Sequence, residues 1–102
     1  MQKFVMKVHE NHVGSKIVAV SDPQLIGKHI EDSDKGIEIT ITKEFYGDSE
    51  FELQEIIPLV LASDNANLIG SEIVDAFIEE KIVDPKSVIS INGIKHAQIY
   101  KI

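Results

Sequence analysis

The apolar positions change period along the chain, and each change marks an element. Residues 3–9 and 15–20 are runs of strand formers separated by a polar loop at 10–14, the pattern of a hairpin. Asp22-Pro23-Gln24-Leu25-Ile26-Gly27 reads as one helical turn. Asp22 suits its cap, Pro23 its first position and Gly27 its left-handed stop. A short extended piece at 28–31 and a turn at 32–36 follow. Ile37, Ile39 and Ile41 then alternate with Glu38, Thr40 and Thr42, which predicts a half-buried antiparallel strand.

At residue 49 the period becomes helical. Phe51, Leu53, Ile56, Ile57, Val60 and Leu61 form one face of a helix over 49–62, with Glu50, Glu52 and Glu55 outside. Pro58 lies inside it and removes a helical hydrogen bond, so a kink is expected there. Residues 63–67 break the pattern. A second helix is predicted over 71–81, apolar at Ile73, Val74, Phe77 and Ile78. After a turn at Asp84-Pro85-Lys86, a closing hairpin turns on Asn92-Gly93, a pair that tolerates positive φ at both positions and matches strand twist. That turn fixes the register: Ile91 opposite Ile94, Ser90 opposite Lys95, Ile89 opposite His96. Alternation then sets Ile89, Ile91, Ile94, His96, Gln98 and Tyr100 on one face, and Val88, Ser90, Lys95, Ala97, Ile99 and Lys101 on the other. The reading is one α+β domain over 1–102: a mostly antiparallel sheet of about five strands, with two helices, the first kinked at its proline, on one face.

Composition narrows the function classes. The 102 residues suffice for a single core. With no cysteine, disulfides, thiolate metal sites and cysteine nucleophiles are excluded, and a reducing cytoplasm fits. The lysine-interrupted N-terminus resembles neither a signal peptide nor a membrane anchor, so no membrane partner is expected. The net charge of −7 is uneven. Residues 31–80 are strongly acidic, whereas both ends carry an excess of lysine. All the cationic side chains are lysines. Arginine, the preferred bidentate reader of phosphate and guanine, is missing.

Candidate chemistry is sparse. His96 and Gln98 share the isoleucine-bearing face of the last strand, roughly 7 Å apart. A polar pair there needs hydrogen-bond partners: a main-chain carbonyl or helix end, the commoner solution, or a ligand at the sheet edge. Lys95 is on the opposite face, beyond the Gly93 turn. Tyr46, in the predicted strand exit Phe45-Tyr46-Gly47, is either a core anchor or a stacking platform for a base. Asn67 and Gly70 precede the second helix; Asn67 suits its cap, or the free amides there suit an anion. Lys28 after Gly27 has the same two readings, but the glycines of a phosphate loop are missing. His9 and His12 straddle a strand end and a loop and do not supply converging zinc ligands. No general acid–base pair or nucleophile elbow is evident, and neither metal nor cofactor is implied.

Five spaced elements carry a resemblance: Leu25-Ile26-Gly27-Lys28, Lys43-Glu44-Phe45-Tyr46-Gly47, Ala66-Asn67-Leu68-Ile69-Gly70, Val83-Asp84-Pro85 and Asn92-Gly93-Ile94-Lys95-His96-Ala97-Gln98. In this order they resemble a small archaeal family known as domain of unknown function 424, from about residue 16 onward. The resemblance implies a single cytoplasmic α+β domain in archaea with no established activity and a suspected link to translation or RNA. The family more often has proline where Lys95 stands, which puts a role for that position in doubt but not for His96 or Gln98.

The reading of the whole chain is a non-catalytic binding module for RNA or a ribonucleoprotein. It would use Lys3, Lys7, Lys95 and Lys101 with Tyr46, His96 and Gln98, provided that the terminal strands are neighbours. The alternatives are a small-ligand binder or enzyme with His96, Gln98 and Asn67 around one pocket, and an interaction module whose acidic helices dock on a basic protein. Pairing of two copies through an exposed edge strand stays open.

Overall fold

A computed structural model describes residues 2–100. In chain order the strands are β1 (Lys3–Glu10), β2 (Lys16–Ser21), β3 (His29–Asp32), β4 (Ile37–Thr40), β5 (Glu50–Glu52), β6 (Asn65–Ile69), β7 (Ile89–Ile91) and β8 (Ile94–Tyr100). The helices are α1 (Lys43–Tyr46), α2 (Leu53–Ala62) and α3 (Ser71–Glu79), with single 3-10 turns at Pro23–Leu25 and Pro85–Ser87.

The fold is α+β, as expected, but the sheet is larger and mixed. Six strands run in the order β5-β1-β2-β6-β8-β7, while β3 and β4 form a separate two-stranded sheet. The difference comes from residues 63–67. Expected to be only a helix breaker, this stretch leads into β6, which pairs parallel with β2 and antiparallel with β8. Asn65 and Asn67 disfavour a strand locally. Burial of Ala66, Leu68 and Ile69 between two neighbouring strands overrides that preference. The helical pattern from residue 49 also divides: β5 adds to the edge of β1, and only then does α2 begin. Glu52 and Glu55 form a reciprocal capping box at that start. The helix continues through Pro58 as one element.

Both faces of the large sheet are covered. On one, Phe4, Met6, Val18, Val20, Ala66, Leu68 and Ala97 pack under α2 and α3, around Ile56, Val60, Ile73, Val74 and Phe77. On the other, Val5, Ala19, Ile69 and Ile91 meet Leu25, Ile30, Ile41 and Tyr46 from the Pro23–Leu25 turn, the β3–β4 sheet with the link that follows it, and α1. Alternation within each strand thus feeds two cores.

Asp22 joins these layers. Its side chain does not cap the turn at Pro23. Instead its carboxylate accepts from the amides of Glu72 (3.0 Å) and Ile73 (2.9 Å), satisfying the start of α3 from fifty residues upstream. Gly70, with φ +123°, lets the chain pass: a Cβ there would collide with the Asp22 carboxylate. Burial raises the Asp22 carboxyl above its ordinary value, with the charges of Glu72 and Asp75 adding to the rise and the two amides opposing it. Asn67, expected to cap this helix, lies inside β6 and has no part in it.

Candidate functional site

The closing hairpin forms with the register expected from its turn. Ile91 pairs with Ile94, Ser90 with Lys95 and Ile89 with His96, and Asn92 and Gly93 both take positive φ. Because β8 lies between β7 and β6, Gln98 stands directly opposite Asn67, and His96 opposite Ile69. Alternation therefore gathers His96, Gln98 and Tyr100 on the sheet face away from α2 and α3, with Asn67 beside them.

His96 is half-buried, and its Nδ1–H donates to the Leu68 carbonyl at 2.8 Å. This is the inward clasp that the sequence leaves as one of two possibilities. The bond also fixes the neutral tautomer and leaves its lone pair on Nε2. Gln98 is exposed and accepts from the Tyr100 hydroxyl. Tyr100 itself is 61% exposed and Ile89 43%. Together with Ser87 and Ala97, these residues line an open groove of about 240 Å³ along β7 and β8.

Tyr46 is corrected. One ring of Phe45 and Tyr46 is core and the other partly exposed, as expected, but the pair does not leave a strand. They belong to the single turn of α1, started by the Thr42 hydroxyl, which accepts from the Phe45 amide. Tyr46 is buried, its ring lies edge-on to Phe45, and its hydroxyl donates to Asn67 Oδ1 at 3.2 Å. It is a core anchor and offers no face to a base. Burial pushes its phenol up to about 12, so the hydroxyl stays protonated and keeps donating. The exposed aromatic of this face is Tyr100, which the alternation of β8 already places there.

The remaining candidates separate. Lys95 points to the helix side, where its ammonium meets the Asp75 carboxylate at 2.6 Å. Gly93 forms the hairpin turn and Gly70 the tight approach to Asp22. Lys28 is exposed, and its main chain bonds to Leu25 and Ile41 in the layer over the second core. Asn67 adjoins His96 and Gln98 but does not line their groove. Among the described residues the lysines do not merge into one patch, because β2 and β6 separate β1 from β8. Lys7 donates to the Glu44 carbonyl, and Lys101 lies outside the described residues.

Among the described residues no helix is long and apolar enough to cross a membrane. No curated protein matches this sequence. A solved structure, that of an uncharacterized conserved protein from Methanopyrus kandleri, is similar to this chain at 18% identity and a TM-score of 0.77. The match covers 96% of this chain and 90% of that one, and it supports the fold. The family model described as "Protein of unknown function (DUF424)" matches residues 9–102, and the chain belongs to that family.

Proposed function

We propose that this family member is a non-catalytic binding module that holds unpaired RNA bases on the β7–β8 face. The observation that carries the reading is the row along β8, half-buried at His96 and exposed at Gln98 and Tyr100. Tyr100 offers a ring for stacking, Gln98 an amide that can both donate and accept, and His96 a lone pair on an imidazole already held by Leu68. These groups suit base recognition better than proton transfer.

Electrostatics sets the expected style of binding. With a net charge of −7 and Lys95 tied to Asp75, phosphate attraction contributes little. Affinity then rests on stacking, worth about 1–3 kcal/mol per base, and the salt dependence is shallow. Fluorescence anisotropy with a short labelled single-stranded RNA tests this. The wild type binds, and Tyr100→Ala or Gln98→Ala weakens binding several-fold or more. No binding at low salt, or equal binding by both variants, refutes the reading.

A second reading has its own observation on the opposite face. Leu59 and Leu61 of α2 are 43% and 59% exposed on the helical layer that also carries the exposed Glu55, Glu72, Asp75 and Glu79. A basic protein with an apolar centre would fit there. Its association would weaken steeply with salt, unlike base stacking.

A further inference from the structure

The outer face of the β3–β4 sheet carries a group that neither core nor groove uses. Ile30 of β3 and Ile39 of β4 point inward to the second core, so His29, Glu31, Glu38 and Thr40 all point outward. Register sets Glu31 directly opposite Glu38, and His29 opposite Thr40. Two carboxylates facing each other across an antiparallel pair repel. Yet the side chains converge: His29 Nε2 stands 3.0 Å from Glu38 Oε1 and 3.5 Å from Glu31 Oε1. One ligand atom from each of the three residues lies within 4.8 Å of the others.

We propose that His29, Glu31 and Glu38 form a binding site for a divalent transition-metal ion of the zinc class. Three features of the arrangement carry this. First, one imidazole and two carboxylates are a donor set for such an ion, with the fourth tetrahedral position left to water. Second, ligands about 2.1 Å from a tetrahedral zinc lie about 3.4 Å apart, which the two imidazole–carboxylate separations bracket. Third, His29 Nδ1 is 2.8 Å from Thr40 Oγ1, an outer contact that orients the ring and turns Nε2 to the carboxylates. All three ligands sit on paired strands, so little ordering is needed on binding. A bound ion would clip β3 to β4 and steady the layer that covers the second core. The site is separate from the β7–β8 groove, and its success or failure is independent of RNA binding.

The test is titration of the whole chain with Co²⁺, followed by its visible absorption and then by displacement with Zn²⁺. One Co²⁺ binds per chain with a tetrahedral spectrum, and Zn²⁺ removes it. His29→Ala and the isosteric pair Glu31→Gln/Glu38→Gln abolish saturable binding. Thr40→Val, which touches no metal, weakens it about tenfold or more while leaving circular dichroism unchanged. Should His29→Ala misfold, the glutamine pair decides. No saturable binding of either ion shows that the cluster is only a histidine–carboxylate contact and overturns the proposal. Binding that survives in the glutamine pair shows that the two carboxylates do not hold the ion and overturns it equally.

Discussion

Neighbouring residues of β8 face opposite worlds. Ala97 is buried and Ile99 half-buried against the core under α2 and α3. His96, Gln98 and Tyr100 alternate with them on a face that the β3–β4 sheet and α1 cover only in part. The helix face is closed by two amphipathic helices, and the strand positions beneath them, Val18, Val20, Ala66, Leu68 and Ala97, are buried and apolar. The other face is roofed by short pieces, and where the roof stops the strand carries an amide, an imidazole and an exposed phenol. Cover therefore separates core from candidate site, while both share the same backbone. If this contrast is right, substitutions on the closed face cost stability, and those on the open end of β8 cost binding alone.

The largest effect should come from the closed face. Phe77 is fully buried at its centre, and Phe77→Ala should lose about 3–5 kcal/mol in denaturant unfolding. A loss near zero would mean that the helical layer does not close that core. Next come Gly70 and Asp22, where the sheet hands over to α3. Gly70→Ala adds a Cβ against the Asp22 carboxylate at a φ that side chains rarely adopt, and should cost about 1–3 kcal/mol. Asp22→Ala removes the remote cap and should cost about 0.5–2 kcal/mol. Because the two touch, their double variant should lose less than the sum.

The Asp22 carboxyl also gives a pH test. Its value is raised in the folded chain, chiefly by burial, so the folded state keeps that proton to higher pH than the unfolded state. Stability from this group is fully present below the ordinary carboxylate value and is lost as pH rises through the raised one. Asp22→Asn removes that dependence, so its deficit relative to wild type should be largest in acid and shrink toward neutrality. Urea unfolding at a series of pH values reads this directly, and a deficit that grows toward neutrality would reverse the assignment.

Smaller effects sharpen the boundary between cover and site. Tyr46→Phe keeps the ring and loses only the bond to Asn67, for about 0.5–1.5 kcal/mol by chemical denaturation. Tyr100→Ala should alter stability by no more than about 0.5 kcal/mol, because its ring is mostly in solvent. A larger loss would make Tyr100 part of the structure and remove it from the candidate surface.

Local signals are legible in the sequence, and contacts distant along the chain are not. The β7–β8 register follows from a two-residue turn whose backbone demand Asn92 and Gly93 meet by themselves. That register alone sets His96, Gln98 and Tyr100 on one face. β6 escapes a local reading because its asparagines argue against a strand, and its partners β2 and β8 come from distant parts of the chain. Asp22 reads as the cap of the nearest helical turn because its true partner begins fifty residues later. Tyr46 reads as part of a strand exit because α1 is a single turn, too short for helical periodicity to register. The His29, Glu31 and Glu38 cluster depends on the β3–β4 register, which the loop between the two strands leaves loosely specified.

The most direct test is a ¹H–¹⁵N shift map of the labelled chain titrated with a short single-stranded RNA. Shifts should concentrate on β7, β8 and the adjoining Asn67, reach their maximum around Gln98 and Tyr100, and disappear in Tyr100→Ala. Shifts confined to α2 and α3, or none at saturating RNA, would contradict base binding on this face.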